Sequence, residues 1–178
     1  GLLRVLDLDE LFSAAETLGH IQSSHGHRLA IVTNGGGLGV LAVDRLIDLG
    51  GELAGLSEDV RKNLDKVLPE RWSQANPIDI LGDATPERYA KACELVLGDT
   101  ANNALLIMNA PNTLASPVEC AKAVVGAVKH FRAETYSRKP VFATWVGDSG
   151  EATSVFGEAG IPHFSNEADA VRGFMHLV

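Results

Sequence analysis

From Arg28 onward, short apolar runs alternate with segments of helical periodicity. "RLAIVTN" precedes "GVLAVDRLIDLG", and "GELAGLS" precedes "EDVRKNLDKVL". "NALLIMNAP" precedes "SPVECAKAVVGAVKHF", "KPVFATWVG" precedes "GEATSVFGEAG", and "IPHFS" precedes "NEADAVRGFMHLV". Strand-length runs separated by helices of about 10–15 residues call for βαβ units and a parallel sheet. Runs such as "ALLIM" and "PVFATW" are apolar without alternation, as strands covered on both faces must be. The pattern therefore predicts an α/β fold: a flavodoxin-like, doubly wound parallel sheet of five strands in the order 2-1-3-4-5, with helices on both faces. Residues 69–84 break the rhythm. They carry no clear strand and are expected to be irregular, near the carboxyl ends of the strands.

Residues 1–26 stand outside this alternation. "DLDELFSAAETLGH" is an amphipathic helix with Asp7 as N-cap and Glu10 three residues on, and the polar "IQSSHGH" follows as a linker. Residues 1–26 are thus expected to be a helix and linker from a preceding domain, and residues 27–178 the domain itself. The chain has no initiating Met, opens on "GLLRV" and stops on "FMHLV", which reads as a piece of something longer. Its net charge of −8, from 15 basic and 23 acidic residues, and the lack of a basic stripe argue against nucleic acid as the main partner. No apolar run approaches the ~20 residues of a membrane span, and no signal peptide is present, so a cytoplasmic location without membrane contact is expected. Cys93 and Cys120 lack CxxC spacing and lie in helical patterns, consistent with reduced, packed thiols.

In folds of this class ligands gather at the carboxyl ends of the strands. After the first strand stand Asn34, Gly35, Gly36, Gly37, Leu38 and Gly39. Amides at a helix start lack partners, the helix dipole is positive there, and glycine admits an anion to the backbone. The stretch is either a phosphate-binding helix start or a strand–helix turn that needs glycine for a positive φ. Leu38 should begin the helix's apolar face, with Val40, Leu41, Val43, Leu46 and Ile47 anchoring it to the sheet. After the third apolar run come Asn109, Pro111, Asn112 and Thr113, then Ser116-Pro117, a good cap and first helical residue. "ANPIDI" adds Asn76 and Asp79, as ligands or as an Asx turn. Trp145, Asp148 and Ser149 follow the fourth strand, where they could wall the same cleft or, for Trp145, pack as core.

Other chemistries have weaker support. Gly37-x-Gly39-x-x-Ala42 fits the dinucleotide pattern, so a Rossmann-like dinucleotide-binding domain is the alternative. That pattern wants an acid ending the second strand, whereas Glu58 falls in a first helical turn behind Ser57. The six histidines show no metal-ligand spacing. Asn109 stands where a receiver domain needs aspartate. No catalytic triad, kinase motif or flavin-phosphate loop is present, and no residue is nominated as catalytic.

Taken together, "RLAIVTNGGGLGVLAVDRLIDLGGELAGLS", "ANPIDILGDATPERYAKACELVLGD", "ALLIMNAP", "KPVFATWVGD" and "GIPHFSNEADAVRGF" resemble the NDP-forming acyl-CoA synthetases, over essentially the whole chain. The likeness is to their second flavodoxin-like ligase domain, similar to the carboxy-terminal domain of the succinyl-CoA synthetase β subunit. Within the superfamily it is closest to the synthetase-like region of bacterial protein lysine acetyltransferases. The resemblance implies that Asn34 to Gly39 start a helix aimed at a phosphate carried by a phosphohistidine loop. It implies that Asn109–Thr113 lie where the acyl group is presented, although Pro111-Asn112 replace a Gly-Gly pair and leave acyl specificity open. It implies a parent using ATP or ADP, Mg and CoA, with CoA-binding, phosphohistidine-loop and ATP-grasp domains as partners and a small acyl-CoA or phosphate as ligand. The phosphorylated histidine's motif is not in this chain, so no cofactor and no turnover are expected of residues 1–178 alone.

Overall fold

The computed structural model describes residues 3–21, 26–147 and 150–178. Helix α1 (Leu8–His20) precedes β1 (Arg28–Thr33), α2 (Gly36–Asp48), β2 (Glu52–Leu53) and α3 (Glu58–Val67). Then come β3 (Ile78–Asp79), α4 (Pro86–Gly98), β4 (Ala104–Asn109), α5 (Pro117–Thr135), β5 (Val141–Trp145), α6 (Glu151–Glu158), β6 (His163–Phe164) and α7 (Glu167–Met175). The sheet runs β2-β1-β4-β5-β6, with β3 also on β1, and each pairing is parallel. This is the expected strand order, with helices on both faces and one correction: the described residues form six strands, not five.

The extra strand lies in the segment expected to be irregular. On its outer side β1 meets β2 at Arg28 and Leu29 and β3 at Val32 and Thr33. Between the two, the Asn76 side chain acts as a strand substitute. Its Oδ1 accepts from the Ile31 N–H at 2.9 Å, and its Nδ2 donates to the Leu29 and Ala54 carbonyls at 3.0 and 2.9 Å. Backbone polar groups in a buried sheet need partners, and this edge is completed in three pieces. A two-residue strand has no period to detect, which is why β3 escaped the hydrophobic pattern. The segment does lie at the carboxyl end of β1, where the Ile80 N–H donates to Thr33 O at 2.8 Å.

Strand side chains alternate between two cores. Ala30, Val32, Leu105, Ile107, Val141, Ala143 and Trp145 face the layer of α3, α4, α5 and α6, with Leu64, Tyr89, Val124 and Phe156. Leu29, Ile31, Leu106, Met108 and Phe142 face α2 and α7, with Leu46, Phe164 and Phe174. Helix α1 packs on α7, and two side chains close its N-terminus: the N-cap Asp7 accepts from Glu10 N–H at 2.8 Å, and Glu10 accepts from the N–H of Leu6, one residue before the cap, at 2.6 Å. Ser57 caps α3, Thr85 caps α4 ahead of Pro86, and Ser116 caps α5 ahead of Pro117. Cys93 and Cys120 are free and buried.

Helix α2 is rotated from its expected setting. Gly39, Ala42 and Leu46 face the sheet, spaced three and four residues apart, and Leu38 and Val43 pack at the margin. Val40, Leu41 and Ile47, expected as anchors, are 57%, 55% and 57% exposed. The close approach at Gly39 sets this phase. A Cβ there would lie 3.1 Å from both Pro77 Cβ and Thr33 Cγ2, so the smallest residue is the one turned inward. Among the described residues no helix is long and apolar enough to cross a membrane.

Candidate anion site at the strand ends

The amino end of α2 lies at the carboxyl edge of the sheet, beside the loops that follow β3, β4 and β5. Gly35 is its N-cap in an extended conformation (φ −136°) and supplies no side-chain cap, and the first turn holds no acidic residue. Thr33 Oγ1 accepts from the Gly35 N–H at 3.1 Å, and the Gly39 N–H donates to Gly35 O at 3.1 Å. The N–H groups of Gly36, Gly37 and Leu38 have no acceptor among the described residues. Gly36 and Gly37 are exposed. Three adjacent unpaired amides at the positive end of a 13-residue helix make a site suited to an anion.

None of these glycines has a positive φ, so conformational freedom is not why they are there. Contact is the reason for three of the four. A Cβ on Gly35 would lie 3.0 Å from Ala110 Cβ, and one on Gly36 would lie 2.8 Å from Asp79 Oδ2. Gly39 meets Pro77 and Thr33, as described. A Cβ on Gly37 would meet nothing within 4 Å; that position opens to solvent.

The other predicted residues divide into two groups. Asn34 is buried and ties two strand ends together: Nδ2 donates to Ala110 O at 3.0 Å and Oδ1 accepts from Ala110 N–H at 2.6 Å. Asp79 sits at the mouth of α2, its Oδ1 accepting from Leu81 N–H at 2.9 Å while Oδ2 lies over Gly36. Pro111 and Thr113 are exposed, and Asn112 Oδ1 accepts from the N–H groups of Leu114 and Ala115 at 2.8 and 3.0 Å. A Cβ on Gly147 would come within 3.7 Å of Pro111 Cγ, which brings the loop after β5 to the same rim. In contrast, Asn76 is engaged along β1, and Asn109 is buried with Nδ2 donating to Tyr89 Oη at 2.9 Å. Trp145 is core, 2% exposed, its ring 4.6 Å from that of Phe156 and its Nε1 donating to Pro117 O at 3.0 Å. Asp148 and Ser149 lie outside the described residues.

Residues that the sequence did not flag complete the setting. Tyr89 is fully buried, donates to Met108 O at 3.1 Å, and burial pushes its phenol well above the usual range. Arg88 grips the loop after β3, donating to Ile80 O at 3.0 Å and Asp83 Oδ1 at 2.6 Å. That guanidinium holds the Asp83 carboxyl below the usual carboxylate range. The signal for Arg88 was its place in the first turn of α4, directly after the irregular segment. Among the described residues no group of three or more His, Cys, Asp or Glu side chains is placed to hold a metal.

The Ligase-CoA domain family matches residues 29–172. The chain is 31% identical over 182 residues to the alpha subunit of an ADP-forming acetate–CoA ligase II of Pyrococcus furiosus, covering 100% of this chain and 39% of that one. It is 30% identical over 178 residues to an ADP-forming acetate–CoA ligase I of Archaeoglobus fulgidus, covering 99% of this chain and 24% of that one. Among solved structures it superposes with a TM-score of 0.89 and 28% identity on the dinucleotide forming acetyl-coenzyme A synthetase 1 of Ca. Korarchaeum cryptofilum, in complex with phosphate and ADP. That match covers 97% of this chain and 37% of the other. The chain spans well under half the length of each of these relatives.

Proposed function

This chain belongs to the Ligase-CoA domain family, and from that membership we propose that it serves as one domain of an NDP-forming acyl-CoA synthetase, an acid–thiol ligase, in which the amino end of α2 receives a phosphate group. The observation that carries the reading is the run of unpaired amides at Gly36, Gly37 and Leu38. A ligase that couples nucleotide cleavage to thioester formation hands a phosphoryl group between stations, and each station needs donors fixed in place before the anion arrives. Here the donors are fixed by the Asn34–Ala110 pair and by the burial of Ala42 and Leu46.

The loop after β4, with Pro111, Asn112 and Thr113, borders the same edge and is the proposed approach for the acyl group. The site supplies position and charge, and no side chain in it is assigned as nucleophile or base. In this reading CoA-binding, phosphohistidine-loop and ATP-grasp domains belong to the rest of the parent protein, whose cofactors are ATP or ADP, Mg and CoA. Residues 1–26 form the approach from a preceding domain. A helix terminus contributes about 0.3–1 kcal/mol to anion binding when exposed and up to ~2 kcal/mol when partly buried. Binding of phosphate by this domain alone is therefore weak.

The test is made in the parent ligase. Gly37→Val puts a side chain into open space over the donors without a clash in the fold, so acyl-CoA formation from acid, CoA and ATP should fall at least about tenfold, the equivalent of ~1.4 kcal/mol. The 178-residue chain alone should give none. Unchanged activity in the variant contradicts the reading.

The dinucleotide alternative finds less support. The glycine spacing is present, but the acid of β2, Glu52, lies beside the start of β1 and pairs with His27 at 2.9 Å, and Glu58 lies in the first turn of α3 behind its Ser57 cap. NAD(H) and NADP(H) should leave the melting temperature of the chain unmoved at sub-millimolar concentration, as scanning fluorimetry would read.

A further inference from the structure

At the opposite edge of the sheet, just before β5, Lys139 differs from the other five lysines. Lys62, Lys66, Lys91, Lys122 and Lys129 are exposed on helices, whereas Lys139 is half-buried. Its Nζ donates to Leu97 O at 2.8 Å and to Asp99 O at 2.6 Å. It lines a cleft of about 460 Å³ with Asp99, Asn102, Phe131, Thr135 and Ser137. A second cleft, of about 360 Å³, shares Asn102, Ser137 and Lys139 as lining. Asn102, in the walls of both, is 3% exposed, and its Oδ1 is buried without a hydrogen-bond partner.

We propose that Lys139 is an acylation site, its amine presented to the cleft by two backbone carbonyls and modified by a small acyl thioester of the kind an acyl-CoA synthetase produces. The identity of the donor rests on the ligase reading above; the reactivity of the amine rests on the geometry. A neutral amine has two N–H bonds and one lone pair. The carbonyls of Leu97 and Asp99 take both N–H bonds, so the lone pair is directed away from them. The charged groups facing this amine are the Asp99 carboxylate and the Arg28 guanidinium, which donates to Thr100 O at 3.5 Å. Burial lowers the Lys139 ammonium to about 8, Asp99 opposing and Arg28 adding to the shift.

In the step itself the amine nitrogen attacks the thioester carbonyl carbon. A C–N bond forms, the C–S bond breaks, and CoA leaves as its thiol with the proton the amine gives up. The pantetheine arm of CoA carries amide N–H donors of the kind that Asn102 Oδ1 lacks. Acetylated Lys139 keeps one N–H, so one of the two carbonyls at the end of α4 loses its donor, and the modified protein should melt lower.

The experiment incubates the 178-residue chain with acetyl-CoA between pH 7 and 10 and follows all six lysines by peptide mass spectrometry. A parallel series uses trace acetic anhydride, which needs no thioester site. Lys139 should acetylate about tenfold faster than the mean of the other five near pH 8, the gain in free amine being partly offset by lower intrinsic nucleophilicity. Its rate should level off above pH 8 while the exposed lysines keep climbing, and Lys139→Arg should remove the fast site. If acetyl-CoA labels Lys139 no faster than the exposed lysines, the proposal is overturned. If anhydride alone favours Lys139, the thioester assignment is overturned. Neither outcome bears on the amides of Gly36 and Gly37 at the other end of the strands, where the ligase reading is tested separately.

Discussion

Asp79 and an incoming anion compete for the same positive helix end. Oδ2 of this carboxylate stands where a Cβ on Gly36 would nearly touch it, and a negative charge there favours the helix but opposes phosphate. Asp79→Asn keeps the acceptor for the Leu81 N–H and removes the charge, so phosphate affinity measured by calorimetry should rise severalfold. Asn76 is a different case. Asn76→Ala strips partners from Ile31 N–H and from the Leu29 and Ala54 carbonyls, and should lower unfolding free energy by about 2–3 kcal/mol in urea titration. The pattern "ANPIDI" singled Asn76 out as meaningful but could not say for what. Its partners lie 45, 47 and 22 residues away, and no local pattern carries such pairings. The glycines were legible as a place of close approach, yet only coordinates separate Gly39, which packs, from Gly37, which is open.

Helix α2 shows what periodicity resolves at the scale of an element. Its existence and approximate length follow from the strand-turn-helix pattern, while its start at Gly36 lies three residues ahead of the expected Gly39. Its rotation does not, because Val40, Leu41, Val43, Leu46 and Ile47 leave an apolar residue on almost every side. The phase is set by small residues, Gly39 and Ala42, that let the helix close on the sheet. The two settings give opposite mutational outcomes. Leu46→Ala should cost about 2–5 kcal/mol, as for a buried leucine, whereas Ile47→Ala should stay within about 0.5 kcal/mol. Equal costs in chemical denaturation would favour the setting expected from the sequence over the rotated one. The short strand β3 was out of reach for a related reason: an edge shared between two-residue strands and a side-chain amide is written in tertiary contacts alone.

Across the whole molecule, burial leaves a signature in alkaline pH. Burial holds the thiol of Cys93 and the phenol of Tyr89 far above their usual values and raises Cys120 to about 11. In the unfolded chain a cysteine loses its proton near about 8.5, while the native state keeps it. The unfolded state then binds fewer protons, so stability falls as pH rises from about 9 toward 11. Lys139 works in the other direction: lowered in the fold to about 8, it adds stability as pH rises toward the unfolded lysine value. Three groups against one leave a net loss, and Cys120→Ala should shallow the decline in melting temperature across that range. The order of the five main strands and both helical layers were legible from the alternation of apolar runs, and parallel topology gathers the strand ends on the side where the candidate site lies. The central claim is that this edge holds an anion at the start of α2. Titrating inorganic phosphate into the isotopically labelled chain and following its amide resonances tests it most directly. The account predicts saturable shifts concentrated at Gly36, Gly37 and Leu38, with a dissociation constant near about 1 mM, tighter in Asp79→Asn and lost in Gly37→Val. Amides at Gly36, Gly37 and Leu38 that stay unmoved by phosphate would contradict it.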